Sequence, residues 1–253
     1  MSGSAEPAPP AGCVLDEALR GRLALWQPIQ GYRFSIDAFL LADFAKRALP
    51  ERGGRLVDLG AGCGVVGLAL ARDSEAQLTL VELQPRLAEL CRINARHNGL
   101  ADRVEVVQGD LRQLGPERSA SVELVVSNPP FRAADSGRHS PDPEKAVANT
   151  ELELTLPELV SCAARLLRPR GALAVIYPAE RAAEVLAVLL QHSLQPVRLR
   201  PVYPRPERPA RRVLVQARKG GGHALVIEPP LIVQDHTEAY AEEVSQLLGE
   251  PPV

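Results

Sequence analysis

Short apolar runs alternate with amphipathic stretches from residue 55 onward. The runs are typical of strands buried on both faces of a sheet, and the stretches between them have the period of helices. This alternation predicts a parallel sheet with helices on both faces. The predicted strands are 55–59, 78–83, 104–107, 124–127 and 172–177, and the predicted helices are 65–72, 85–97, 157–167 and 179–192.

Two further apolar runs, 197–202 and 213–217, are joined by about ten residues. This connection is too short for a crossover helix, so it predicts an antiparallel hairpin at the end of the sheet. Upstream, the pattern predicts a strand over 22–27 and a helix over 36–49, with Ser35 or Asp37 as its N-cap.

The ends of the chain differ in composition from its middle. Residues 1–12 are almost entirely Pro, Ala, Gly and Ser, which cannot build a core. We therefore predict a disordered tail over 1–14, one domain over 15–219 and an acidic extension over 220–253.

Charge is balanced overall but distributed unevenly. The net charge of −2 excludes a chain that is basic throughout. Residues 196–220 nevertheless carry eight basic residues and one acid, whereas 221–253 carry six acids and no Lys or Arg. A nucleic-acid contact would have to use this local basic segment. The sequence leaves open whether the acidic segment folds back on it or binds a partner.

Several classes of protein are disfavoured. No stretch approaches 18 apolar residues, and no Lys or Arg precedes Arg20, so we expect neither a membrane span nor a secretory signal. The four cysteines form no CxxC pair and no Cys/His cluster, so we expect no metal site and no disulfide framework. A cytoplasmic monomer is the default expectation.

A glycine-rich turn follows the first strand of the alternation. It reads Gly60-Ala-Gly62-Cys-Gly64, where glycine allows a sharp turn and close approach of a ligand. Its GxGxG spacing differs from the GxGxxG dinucleotide fingerprint, which disfavours a dehydrogenase. A purely structural strand-to-helix turn is the alternative.

Acids lie at or just after the ends of three successive strands of the predicted sheet. Asp58, Glu82 and Asp110 would lie along the edge at which open parallel sheets bind ligands. Carboxylates beside the loop repel phosphate and favour a nucleoside with a positive centre, for which S-adenosylmethionine is suitable. Helix caps or solvated loop acids are the alternative.

The fourth strand ends in Asn128-Pro129-Pro130-Phe131. The two prolines remove backbone donors and leave carbonyl acceptors, to which Asn128 adds a side-chain acceptor. Two acceptors can hold both hydrogens of an amino group, and Phe131 offers a face on which a planar base can stack. The alternative is a rigid turn with Phe131 in the core.

These motifs carry a resemblance to a known family. DLGAGCG, VEL, QGDL and NPPF resemble class I S-adenosylmethionine-dependent methyltransferases of the N6-adenine group. Together with NPPF, the upstream segment GYRFSIDAFLL resembles the bacterial tRNA(Val) adenine N6-methyltransferases, which modify the adenine beside the anticodon. The resemblance covers roughly residues 15–219. It implies a Rossmann-like, mostly parallel seven-stranded sheet with a C-terminal antiparallel hairpin, and residues 15–50 as a lid.

The resemblance also implies roles for individual residues. Asn128, Pro129, Pro130 and Phe131 would be catalytic, holding the target amine and stacking on its base. The residues implied for cofactor binding are Phe34, Ser35, Asp37, Asp58, Gly60, Gly62, Gly64, Glu82, Asp110, Leu111 and Asn128. The cofactor would be S-adenosyl-L-methionine, and no metal would be required.

The basic segment is interpreted as an RNA contact beside the pocket, with a solvated hairpin as the alternative. Its candidate phosphate ligands are Arg198, Arg200, Arg205, Arg208, Arg211 and Arg212. Three other functions stay open: methylation of protein glutamine, methylation of rRNA or DNA adenine, and a catalytically silent binding module.

Overall fold

The computed structural model describes residues 9–30, 33–49, 53–129, 154–221 and 224–249. The chain begins with an antiparallel hairpin followed by a helix. The elements are β1 (Cys13–Ala18), β2 (Leu23–Pro28) and α1 (Ile36–Lys46). Because β1 starts at Cys13, the predicted tail over 1–14 ends too late. The weak alternation of this strand hid it from the sequence pattern, since its residues are only partly buried.

The predicted alternation of strands and helices follows. Its first half contains β3 (Arg55–Leu59), α2 (Val65–Arg72), β4 (Gln77–Glu82), α3 (Pro85–His97), β5 (Val104–Gln108) and β6 (Val122–Ser127). Its second half contains α4 (Leu156–Leu166), β7 (Leu167–Pro178), α5 (Ala182–Gln191), β8 (Leu194–Tyr203) and β9 (Arg212–Lys219). The bounds of α2 and α3 agree with the sequence pattern. Strand β7 begins five residues earlier than predicted, because its first residues include the exposed Arg168 and Arg170 and so lack an apolar pattern.

These strands form one sheet in the order β5-β4-β3-β6-β7-β9-β8. All neighbours pair in parallel except β9, which lies antiparallel between β7 and β8. The predicted mostly parallel sheet with a C-terminal antiparallel hairpin is therefore confirmed, but within the described residues the sheet has nine strands instead of seven, because two short strands pair with β8. The carboxyl ends of β3, β4, β6, β7 and β8 share one edge, called the upper edge below.

Helices cover both faces of the sheet. On one face α1, α2 and α3 enclose a leucine-rich core that includes Leu56, Leu80 and Leu124. On the other face α4 and α5 pack over Val57, Val125 and Val175. Successive strand residues thus point to opposite cores, which explains the unbroken apolar runs. Within the described ranges, no helix combines the length and apolarity needed to cross a bilayer.

The acidic C-terminal segment is part of this fold. It contains β10 (Val226–Ile227), β11 (Leu231–Ile232) and α6 (Glu242–Leu248), and both strands pair in parallel with β8. Leu231 and Val244 are buried in the same core as α1. The extension predicted over 220–253 is therefore not separate from the domain. Strands of two residues are too short to produce a detectable pattern.

Candidate active site

The glycine turn is the centre of the upper edge. The N–H groups of Gly60 and Ala61 both donate to the carbonyl of Val81, at 2.9 and 3.0 Å. Gly60, Gly62 and Gly64 have φ values of +74°, +60° and +91°, a region that favours glycine. No atom lies within 4 Å of a Cβ built on Gly60, so the turn opens to space there.

Glu82 closes the turn from the end of β4. Its side chain accepts the Gly62 N–H at 2.8 Å through one oxygen and the Gln84 N–H at 2.9 Å through the other. The residue is 6% exposed, and burial raises the pKa of its carboxyl. Each carboxylate oxygen keeps a further lone pair for a hydroxyl group.

Asp58 lies underneath the turn. It is 1% exposed, and its Oδ2 accepts the Gly67 N–H of α2 at 2.9 Å. Burial, helped by the nearby charge of Glu82, raises its pKa to about 7 despite the Gly67 hydrogen bond. Asp58 pairs in register with Leu80, two residues before Glu82, and its hydrogen bond to Gly67 fixes α2 against β3.

Asp110 forms hydrogen bonds and an ion pair with Arg112, two residues further along the chain. It accepts the backbone N–H of Arg112 at 2.9 Å and forms an ion pair with the Arg112 guanidinium at 2.6 Å. This pairing lowers the pKa of Asp110. The adjacent Leu111 is buried, and its carbonyl accepts the Cys162 thiol of α4 at 3.2 Å.

Asn128 lies beside the glycine turn. Strands β3 and β6 pair with Asp58 opposite Val126, so continuing this register by two residues sets Gly60 opposite Asn128. The buried Ser127 hydroxyl donates to the Leu59 carbonyl at 2.7 Å and ties the two strand ends together. Asn128 is half-buried and Pro129 is buried. The predicted catalytic residues Pro130 and Phe131 lie outside the described residues.

The predicted lid residues precede or begin α1. The Phe34 N–H donates to Gln27 of β2 at 3.2 Å, and its ring packs edge-on against Phe39. Ser35 occupies the N-cap position, but its side chain makes no capping hydrogen bond. Asp37 accepts the Nε of Arg212 at 2.9 Å.

The six predicted RNA-binding arginines fall into two groups. Four are ion-paired: Arg198 with Glu228, Arg200 with Glu243, Arg205 with Glu238 and Arg212 with Asp37. Arg208 and Arg211 are exposed. The acidic C-terminal segment supplies three of the four carboxylates, so it does fold back on the basic hairpin.

The sequence pattern missed a pair of asparagines on α3. Asn94 contacts Trp26 and Cys63, and Asn98 contacts Ala24, so both tie β2 to this helix. Their spacing of four residues on a helix face that is otherwise apolar was the available signal. Cys91 was missed as well: its thiol donates to the Gly62 carbonyl at 3.1 Å and supports the turn.

The residues at the upper edge fit S-adenosyl-L-methionine. Gly60 offers backbone without a side chain, and Glu82 offers carboxylate lone pairs suited to the hydroxyls of a ribose. The carboxylate of Glu82 at this edge suits a cationic ligand. Within the described part of the chain, no group of three or more His, Cys, Asp or Glu side chains could hold a metal ion.

Fold and site together define an S-adenosyl-L-methionine-dependent methyltransferase. The chain belongs to the methyltransferase small domain family, whose model matches residues 37–199. A predicted O-methyltransferase from Agrobacterium tumefaciens superposes with a TM-score of 0.66 at 26% identity, covering 84% of this chain and 95% of that one. The geranyl diphosphate C-methyltransferase of Streptomyces coelicolor shares the fold, with a TM-score of 0.53 at 16% identity over 71% of this chain and 80% of its own.

Two proteins that are similar in sequence are both named tRNA1(Val) (adenine(37)-N6)-methyltransferase. The protein of Porphyromonas gingivalis is 33% identical over 194 residues, which cover 74% of each chain. The protein of Parabacteroides distasonis is 29% identical over 195 residues, covering 77% of this chain and 80% of its own.

Proposed function

We propose that this enzyme methylates the exocyclic N6 of an adenine in RNA, and that the RNA is a tRNA methylated in its anticodon loop. The observation that carries the proposal is the pairing of β3 with β6, in which Asp58 lies opposite Val126 two residues before Gly60 and Asn128. Neighbouring strands lie about 4.8 Å apart, so an amine held by Asn128 would lie beside a cofactor bound at the glycine turn. The names of the two tRNA-modifying relatives support the choice of substrate.

Asn128 and Pro129 suit an amine that is a poor nucleophile. The lone pair of an exocyclic amine is conjugated into the base, and an amine has two hydrogens to donate. The Asn128 side-chain oxygen and the Pro129 carbonyl can accept one hydrogen each, which leaves the lone pair directed elsewhere. Because Pro129 has no N–H and its φ is fixed, this acceptor geometry costs little to maintain.

Positioning is the main contribution that we assign to the chain. Bound S-adenosyl-L-methionine supplies an electrophilic methyl group whose leaving group is a neutral thioether. The amine nitrogen gains the methyl group and releases one proton to solvent, while the Asn128 and Pro129 acceptors hold the amine in place. Holding the two reactants in line is worth about 7–11 kcal/mol in favourable cases. The Ser127–Leu59 hydrogen bond fixes the separation of the two strand ends on which this alignment depends.

The target base must be accessible outside a helical stack. A pocket at a strand edge can accept only a base that is flipped out or already single-stranded. An adenine in an anticodon loop meets this requirement at little cost.

The test is a methyl-transfer assay with labelled S-adenosyl-L-methionine and separate pools of unmodified tRNA, rRNA, DNA and release factors. Mass spectrometry of the digested products identifies the labelled atom. N6-methyladenosine in tRNA is the expected product. Label in rRNA or DNA would mean that the enzyme methylates adenine in a nucleic acid other than tRNA. Label on glutamine of release factors would mean that it modifies protein instead. Cofactor binding without any labelled product would identify a binding module.

The Asn128→Ala variant tests the residue that carries the proposal. We expect methyl transfer to fall at least 100-fold while the Kd for S-adenosyl-L-methionine, measured by calorimetry, stays within about threefold. Asn98→Ala is the matched control, because it removes an asparagine from the opposite end of the domain and should retain transfer. Loss of cofactor binding in Asn128→Ala would contradict the assigned role.

A further inference from the structure

The acidic C-terminal segment covers the arginines of β8. Arg198 donates to Glu228 at 2.8 Å and to the buried Gln216 at 2.7 Å, and its guanidinium stacks on Phe44 of α1, 4.2 Å from the ring centre. Arg200 forms a bidentate pair with Glu243, with both distances at 2.7 Å. Both arginine side chains are only 16% exposed.

The same segment extends to the start of the loop that joins β8 to β9. Arg205 pairs with Glu238 at 2.7 Å. Glu207, an acid within the loop, lies 3.5 Å from His236 of the C-terminal segment. Carboxylates that already bind a guanidinium must be displaced before a phosphate can take their place, which weakens any RNA contact at these arginines.

Arg208 and Arg211 differ from these residues. Both are exposed, and within the described ranges neither guanidinium has an ion pair. Their loop lies at the upper edge, because β8 runs parallel to β3 and β6. The backbone of Arg211 bridges two strand ends: its N–H donates to Val202 at 2.9 Å and its carbonyl accepts from Ala179 at 3.1 Å.

This loop is close to the methyl-acceptor position. Ala179 follows β7, which pairs with β6 through Val175 opposite Ser127, the residue before Asn128. Arg211 is thus two strands away from Asn128, roughly 10 Å across the sheet, and about three residues further along the strands, roughly another 10 Å. A phosphate bound here would belong to a nucleotide close to the methylated base.

We propose that the acidic C-terminal segment determines which arginines bind the substrate: it retains Arg198, Arg200 and Arg205 as structural anchors and leaves Arg208 and Arg211 to bind RNA phosphates beside the target base. This inference rests on the proposed RNA substrate. It divides the basic hairpin into arginines that are paired with C-terminal carboxylates and an exposed phosphate-binding loop, a division that the net charge of the segment does not reveal.

The experiment measures binding of an unmodified tRNA(Val) transcript between 50 and 300 mM salt. The double variant Arg208→Ala/Arg211→Ala should make the negative slope of log K against log salt shallower by about 1.4–1.8. It should also weaken the affinity at 0.15 M salt by roughly 10–30-fold. The matched control is Arg72→Ala with Arg218→Ala. It removes two exposed arginines from the lower end of the sheet and should leave the slope unchanged.

A third variant, Arg200→Ala, tests the anchoring role. We expect a lower unfolding temperature with an unchanged salt slope, measured where the variant is folded. The inference would be overturned if the Arg208→Ala/Arg211→Ala variant kept the wild-type salt slope, or if the matched control changed the slope by the same amount. In either case the methylation assay could still support an RNA substrate. Failure of the wild-type enzyme to bind tRNA at any salt concentration would overturn both.

Discussion

Asn94 of α3 satisfies both backbone hydrogen-bonding groups of Trp26 in β2. Its Oδ1 accepts the Trp26 N–H at 2.7 Å, and its Nδ2 donates to the Trp26 carbonyl at 3.0 Å and to the Cys63 carbonyl at 2.9 Å. Asn98, one helical turn later, repeats the arrangement on Ala24. The two amides thus substitute for a neighbouring strand, and Asn94 also connects the N-terminal hairpin to the glycine turn.

Removing this connection should destabilise the protein. We expect Asn94→Ala to lower the free energy of unfolding by about 2–4 kcal/mol, because several buried backbone groups lose their partners. Urea unfolding of the two variants Asn94→Ala and Asn98→Ala measures the effect. Because Asn98 is less buried, Asn98→Ala should lower the free energy of unfolding by a smaller amount. An Asn94→Ala variant as stable as the wild type would show that water satisfies these groups equally well.

The burial of Asp58 predicts a specific pH dependence of stability. Its pKa is about 7 in the folded protein and 3.8 in the unfolded chain, so between about pH 4 and 7 the folded state retains a proton that the unfolded state has lost. This contribution to stability is complete below pH 4 and is lost as the pH rises through 7.

Asp58→Asn isolates this effect, because the amide still accepts the Gly67 N–H but does not titrate. The free energy of unfolding of the wild type relative to the variant should fall by up to about 4 kcal/mol between pH 4 and 8. Urea unfolding at one-unit pH intervals measures it. Parallel pH profiles of the two proteins would show that Asp58 is not the titrating group.

Glu82 is expected to bind the cofactor ribose, so Glu82→Gln should weaken S-adenosyl-L-methionine binding. Loss of charge-assisted hydrogen bonds to two hydroxyls should raise the Kd by about 10–100-fold, as measured by calorimetry. Glu105→Gln is the control, since this exposed acid on β5 pairs with Arg118 away from the turn. Equal affinities for Glu82→Gln and the wild type would remove Glu82 from the ribose site.

The start of α4 carries a reciprocal capping arrangement. Thr155 accepts the Glu158 N–H through its hydroxyl, and Glu158 accepts the Thr155 N–H at 2.9 Å. We expect Thr155→Ala to cost about 1 kcal/mol, lowering the unfolding temperature by about 2–4 °C. Thr155→Ser retains the hydroxyl and should be close to the wild type. Identical melting of the two variants would argue against the cap.

The sequence predicted those parts of the fold that depend on local pattern. Helix α3 was predicted with its observed bounds because Pro85 favours its first turn and Gly99, with φ of +67°, ends it. The short strands β10 and β11 were not predicted, since their stability comes from the edge of β8. Pairs such as Arg212 with Asp37, which are 175 positions apart, leave no periodic signal.

The positions of the candidate site residues along the strands were easier to predict than the orientations of their side chains. The strand-end positions of Asp58, Glu82 and Asn128 follow from the alternation alone. Asp58 and Glu82 lie on the same face of the sheet, but Asp58 is level with Leu80, two residues before Glu82, so the depth of each carboxylate depends on the register between β3 and β4. Competition for the arginines by the C-terminal carboxylates depends on where a distant segment folds, which local sequence does not specify.

The burial of Val244 against the core that contains α1 has a consequence for biosynthesis. Helix α1 emerges from the ribosome long before α6 is translated, at a rate of about 5–20 residues per second. For roughly 10–40 s the nascent chain therefore exposes the apolar surface that α6 will cover. A chain truncated before α6 would leave that surface permanently exposed to water.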